Sequence, residues 1–246
     1  EDYTQQLIHC AHSSGIYDQL NASDHKTPAL QSRLQAELKY LLEGDWWDVA
    51  LSKIDALGAL VCVHRDLSMT PVLWQQMRRI HRWLHKLGEK QLVKQPGWLM
   101  LLLLLLAQLE VPNGYETAKR LNLDQKSQQQ LKTLHQSEAA LLDQLSQSVL
   151  PGYTYDCLQR YAQSELLLMA ARHPHTLGPQ VWHYIVHLSR MPPLINGGTL
   201  KRLGFRPGPQ FREILTSVHQ LTLNGELTST QMAEAYVLAN YPKSDS

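Results

Sequence analysis

Cysteine is scarce in this 246-residue chain, and the three present, Cys10, Cys62 and Cys157, lie far apart. No C-x-x-C pair exists and the count is odd, so a disulfide framework is not expected and a reducing cytoplasm is. Excess charge is missing too: 23 Lys and Arg stand against 22 Asp and Glu, a net of +1. Bulk charge therefore does not announce a nucleic-acid binder, and a basic surface has to come from local clustering. The 12 histidines add positive charge only below about pH 6.5. No signal-peptide pattern opens the sequence. It begins at Glu1 rather than a methionine and reads as a piece of a longer protein. The apolar run from Trp98 to Gln108 is about half of the ~20 residues a membrane span needs, so a buried core helix is expected there and no membrane contact. No alternating strand pattern of useful length occurs, and no repeat of fixed period.

Catalytic signatures are also wanting. There is no P-loop and no G-x-S-x-G, no Gly-Ser dipeptide and no D-x-D. His81/His85 and His183/His187 have the i, i+4 spacing of metal ligands on one helix face. Neither has the glutamate of H-E-x-x-H or a third ligand nearby, and His173/His175 merely flank Pro174. No metal site is assigned.

What is present is helix after helix. Residues 1–18 read as a short helix with Tyr3, Leu7, Ile8 and Ala11 on its apolar side. Thr27-Pro28 is a clean helix start, followed by Leu30, Leu34, Leu38, Leu41 and Leu42 at helical period and closed by Gly44. Asp45 caps a helix over 46–57, and Gly58 ends it. Residues 71–87 make an amphipathic helix with Arg78, Arg79, Arg82, His85 and Lys86 on its polar side. Residues 90–96 form a polar break, 98–109 a Leu-rich helix, and 111–114 a turn. Helices follow over 115–121 and 127–150, with a break at Pro151-Gly152, then over 153–172 and 179–190. Met191-Pro192-Pro193 is a stop. Trp46, Trp47 and Trp182 are expected in the core, and Arg33/Glu37 make an i, i+4 helix pair. The last residues, 241–246, look frayed. Apolar stripes on nearly every segment mean the helices pack on one another, giving an all-α fold.

The stretch 194–227 organises the rest. Asn196 and Gly197-Gly198 form a lead-in loop, and Thr199 caps a short helix with Leu200, Lys201, Arg202 and Leu203. Gly204 suits a left-handed exit. Pro207 biases Arg206 away from helix, and Pro209 sits well at a first helical position. Phe211, Ile214, Leu215, Val218, Leu221 and Leu223 then give an apolar face, stopped by Asn224-Gly225. A small Gly/Pro turn at a helix start, ringed by Lys201, Arg202, Arg206 and Arg212, is the composition of a phosphate-backbone clamp. A plain helical hairpin with a solvated basic rim has the same composition.

In this stretch Gly198, Leu200, Leu203, Gly204, Pro207, Gly208, Pro209, Gly225 and Leu227 carry a pattern that resembles the tail of bacterial tRNA nucleotidyltransferases. These are the class II CCA-adding, A-adding and poly(A) polymerase-like family. A second pattern resembles that family's neck. It is carried by Arg33, Glu37, Leu38, Leu41, Leu42, Ala50, Leu51, Leu57, Gly58 and Leu60. The resemblance implies an elongated all-α array: 1–26 as the end of a catalytic head, 27–90 as neck, 91–190 as body, and 191–246 as tail. It implies a parent enzyme that adds A, or CCA, to tRNA 3′ ends with ATP, or ATP and CTP, and Mg²⁺. Its catalytic Gly-Ser and Asp-x-Asp signature is missing, so no catalytic residue and no cofactor is assigned to this stretch. Glu1-Asp2 mimics half of the family's nucleotide-reading motif, but Gln5 stands where its arginine belongs, so no nucleotide site is assigned.

The partners implied are tRNA, held at its elbow and backbone, and an upstream head of the same protein. A group of long family members would tilt the parent towards A-addition. Gly198, Lys201, Arg202, Arg206, Gly208 and Arg212 are the expected RNA-backbone contacts, with Arg78-Arg79-Ile80-His81-Arg82 and Lys119-Arg120 as further phosphate candidates. The alternatives are a helical protein-interaction scaffold with no RNA role and a clamp for duplex DNA.

Overall fold

The computed structural model describes residues 28–89, 92 and 96–242. The described residues contain 12 α-helices and no strand, so the chain is all-α. The helix expected over 1–18 and the Glu1-Asp2 motif lie outside them, as do most of 90–96 and the last four residues.

Helix α1 (Pro28–Glu43) starts at the expected proline. Helix α2 (Trp47–Ala56) is capped by Trp46 rather than Asp45, because the Trp47 N–H closes a turn onto the Gly44 carbonyl at 3.1 Å. That turn delays the helix by one residue. It also leaves Trp46 exposed, edge-on to Tyr40 at 5.6 Å, while Trp47 is buried; the expectation that Trp46 packs in the core is corrected. Gly58, at φ 68°, takes the left-handed exit into a 3-10 turn (Ala59–Cys62). Helix α3 (Pro71–Glu89) is capped by Thr70, whose Oγ1 accepts from the Leu73 N–H at 3.1 Å.

Helix α4 (Gly97–Leu106) is the Leu-rich run, and from Met100 to Leu106 every residue is buried. A helix apolar on all sides must be enclosed on all sides. Each leucine so buried is worth about 2 kcal/mol. The expected turn at 111–114 is instead the first turn of helix α5 (Val111–Arg120). Pro112 fits a helix start, and Gly114 is there for proximity, since a Cβ on it would sit 3.1 Å from the Leu106 carbonyl oxygen. Helix α6 (Gln125–Gln147) follows, with Asp124 Oδ1 accepting from the Ser127 N–H at 2.7 Å.

The single helix expected over 153–172 is two. Pro151 starts helix α7 (Pro151–Leu158) rather than breaking the chain, and helix α8 (Gln163–Arg172) is separate. Helix α9 (Leu177–Val186) and a 3-10 turn (Leu188–Arg190) lead to helices α10 (Gly197–Arg202), α11 (Pro209–Leu223) and α12 (Thr230–Asn240). Helix α12, capped by Ser229 through the Met232 N–H, was not expected.

The packing divides into two units. One takes the described residues up to Glu138 together with Gln163–Pro174; the other takes Ala139–Ala162 and the described residues from His175 on. In the first, α4 packs against α1, α3, α5 and α8. Here Glu138 is buried, and its Oε1 accepts from Arg172 Nε at 2.6 Å. A second Arg172 N–H reaches the Ala107 carbonyl at 3.0 Å, and His173 Nε2 lies 3.5 Å from Glu138 Oε2. One arginine thus ties α8 to α6 and to the exit of α4. In the second unit α7 packs on α9 and α11, and α11 on α10 and α12. Its core gathers Ile195, Leu200, Phe205, Ile214, Val218, Leu227, Ala233 and Val237.

Candidate nucleic-acid interface

The turn between α10 and α11 is built from local chemistry. Asn196, not Thr199, caps α10: its Oδ1 accepts from the Thr199 N–H at 3.1 Å, and Thr199 closes the reciprocal half of a capping box. Gly198 makes room for this cap, since a Cβ there would lie 3.1 Å from Asn196 Oδ1. Gly204 exits at φ 93°, where a side chain is strained. Gly208 has an extended φ of 175°, and nothing stands within 4 Å of where its Cβ would be. Neither strain nor packing therefore asks for glycine at 208, and the backbone there is open to close approach. Pro209 opens α11, as its fixed φ favours.

Lys201, Arg202, Arg206, Gly208 and Arg212 are all exposed around this turn, as is Gly198. The structure gathers them on one short segment, with one difference among the cations: Arg202 donates to Glu234 of α12, which offsets its charge. Gly208 and Arg212 also border a groove of about 660 Å³ between α7 and α11. Lys201, Arg202 and Arg206 do not line it, nor does Gly198. The groove takes Tyr155 and Asp156 from α7, Gln159 from its C-cap, and Asn196 from the approach to α10. From α11 it takes Phe211, Thr216 and His219.

Inside it, Asp156 accepts from Gln159 Nε2 at 2.9 Å and from Gln220. His219 lies edge-on to Tyr155 at 5.0 Å, and its Nδ1 is buried with no hydrogen-bond partner among the described residues. A buried polar atom left unmet costs about 1–3 kcal/mol. Burial lowers the His219 pKa and the Asp156 charge opposes that shift, so the ring is held towards its neutral form.

The sign of the resulting pH dependence is fixed. The unfolded histidine binds its proton near pH 6.5, and the folded one only lower, so the unfolded state carries more protons in between. Stability is complete above that window and falls as pH drops through it. His64, whose pKa burial also lowers, adds the same sign in the other unit. Thermal melts at about pH 7.5 and about pH 5.5 should show the loss, and His219→Gln should shrink it. An identical pH response in His219→Gln would refute the assignment.

The other phosphate candidates are placed less openly. On α3, Arg78 lies over the Trp74 ring at 5.5 Å and Arg82 Nε donates back to the Arg78 carbonyl at 3.3 Å. Arg79 donates to the Ala171 carbonyl at 3.5 Å, and Ile80 is buried. Arg78, His81 and Arg82 share a hollow of about 470 Å³ with Asp45 and Asp48, which balance the two arginine charges. Arg120 is half-buried and donates to the Val63 carbonyl, and Lys119 pairs with Glu116 at 3.9 Å. The His183 and His187 rings lie 5.2 Å apart with their planes tilted by 39°, but among the described residues no three metal-ligating side chains converge. No described helix is long and apolar enough to cross a membrane.

Sequence reasoning missed the groove. Tyr155 on α7 and Gln159 at its C-cap stand four residues apart and both line it. The helix expected over 153–172 already contained that spacing, but nothing in the sequence joins it to α11.

No protein-family model matches the chain. By sequence it is 27% identical over 236 residues to the A-adding tRNA nucleotidyltransferase of Geobacter sulfurreducens, covering 91% of this chain and 25% of that protein. By fold it is similar to a CCA-adding enzyme in complex with ATP, at TM-score 0.70 and 19% identity, over 98% of this chain and 56% of that one. It is also similar to a Thermotoga maritima CCA-adding enzyme complexed with tRNA, at TM-score 0.66 and 19% identity, over 86% and 52% of the two chains. The chain thus spans about a quarter of its sequence relative and about half of these structures. In sequence to the one and in fold to the others, it is a helical region similar to part of the tRNA nucleotidyltransferases that add CCA or A.

Proposed function

We propose that this chain is the tRNA-binding helical region of a template-independent nucleotidyltransferase that adds A, or CCA, to tRNA 3′ ends. The observation that carries this reading is the set of exposed cations around the open Gly208 turn, on a chain whose sequence relative is an A-adding enzyme. Lys201, Arg206 and Arg212 hold phosphates of the elbow, and Gly208 lets the RNA backbone approach. Arg202 and Gly198 are secondary: the first shares its charge with Glu234 and the second serves the Asn196 cap. Residues 27–90 are the neck, 91–190 the body and 191–246 the tail, with 1–26 ending a catalytic head. Contacts to backbone and shape suit a substrate class alike in form and varied in sequence.

Mg²⁺ and ATP, or CTP, belong to the parent's head. Among the described residues no three metal-ligating side chains converge to hold the ion.

The test is binding of folded tRNA by this chain at several salt concentrations. Each phosphate contact releases counterions, so affinity falls with salt with a slope of about −0.7 to −0.9 per contact. Lys201→Ala/Arg206→Ala should bind about ten-fold more weakly and lower that slope by about two contacts' worth. Salt-insensitive binding, or a double variant equal to wild type, would remove the clamp.

A further inference from the structure

The backbone clamp leaves the groove between α7 and α11 without a role. At about 660 Å³ it has the size of a small-molecule site, and its lining is mixed in a particular way. Tyr155, Phe211 and His219 bring rings from two helices to one hollow. Gln159 and Asn196 bring amides; the Asn196 oxygen is taken by its cap, so its nitrogen remains as a donor. Arg212 borders the same space with an exposed cation. Rings for a flat face, an amide donor for a polar edge, and a cation for a phosphate are together the complement of a nucleotide.

We propose that this groove receives one unpaired base of the bound RNA, splayed from its loop, with Tyr155 and Phe211 against the base and Arg212 on its phosphate. The proposal rests on RNA being the ligand. It adds that the second unit reads a base, and does not hold backbone alone. Apolar peptide ligands fit less well, because the Asn196 amide donor and the Arg212 cation would meet no partner.

Phosphate and base contacts leave different marks on salt dependence, which lets the two ideas fail separately. Thr216 is exposed and lines the groove, so Thr216→Trp fills the space without touching the core. In the full chain, Thr216→Trp should bind tRNA about ten-fold more weakly with an unchanged salt slope. Tyr155→Leu should do the same and Tyr155→Phe should bind like wild type, with circular dichroism confirming helical content in each. Thr216→Trp and Tyr155→Leu both binding like wild type would overturn the base site while leaving the clamp intact. A lowered slope in both would also overturn it, by showing that phosphate contacts were lost. If the wild-type chain binds no tRNA, both readings fall together.

Discussion

Gly152→Ala should destabilise the unit that carries the α10–α11 turn by about 1–3 kcal/mol, the usual cost of forcing a group into a filled site. A Cβ at Gly152 would lie 2.9 Å from the Gln220 carbonyl oxygen, 3.0 Å from Asn224 Oδ1 and 3.1 Å from the Gln220 Cα. Two of those atoms are backbone of α11, so no side-chain rotation relieves the clash. The Gly152 N–H also donates to Asn224 Oδ1 at 2.8 Å, pinning the start of α7 to the end of α11. Pushing α7 away should spread the groove and break this bond together. Urea denaturation followed by circular dichroism measures the loss, and tRNA binding measures the opened groove. Asn224→Ala separates the two causes, since it loses the bond and introduces no clash. If Gly152→Ala unfolds at the wild-type midpoint, the close approach of the two helices is wrong.

Glu138→Ala should cost the first unit about 3 kcal/mol or more. The carboxylate is buried, and removing it leaves the Arg172 guanidinium facing an empty site with only the Ala107 carbonyl to satisfy it. The penalty is chiefly that of a stranded charge, not the loss of a favourable pair. Glu138→Leu combined with Arg172→Met should therefore recover much of the stability lost in Glu138→Ala alone. Near-equal denaturation midpoints for Glu138→Ala and wild type would show that the arginine is solvated in place and that the tie is superficial.

Much of the helical order was legible because its punctuation is covalent. Pro28, Pro71 and Pro209 start helices where the sequence places them, and Gly58, Gly204 and Gly225 leave them at positive φ. The run at 98–109 was read correctly as a buried helix because an apolar surface on every side has few other uses. The failures are where tertiary contact decides. Residues 159–162 contain no glycine or proline, so the break between α7 and α8 has no local mark. It exists because Cys157 and Leu158 are buried in one unit and Leu166 to Ala171 in the other. Pro112 and Asn113-Gly114 look like a turn until Leu106 is seen to need the space beside Gly114.

The site divides in the same manner. Lys201, Arg206, Gly208 and Arg212 were nameable because they lie along one stretch of sequence. The groove was not, because its rings come from Tyr155 and from residues of α11 far along the chain, and only packing joins them. The role of Arg202 changed for the same reason, since its partner Glu234 sits on a helix that the sequence reading did not foresee.

The order in which the chain is joined has a consequence for its synthesis. The core of the first unit encloses the leucines of α4, yet one wall of that core, α8, is made only after residues 139–162 of the other unit have emerged. Until Pro174 has left the ribosome, the side of α4 that α8 covers has no partner and lies open to chaperones and to other nascent chains. A message cut between Glu138 and Gln163 therefore yields no smaller working version of the first unit, only an unfinished one. Slowing translation across α6 and α7, while that side of α4 is uncovered, should lower the yield of soluble chain more than the same pause placed after α8.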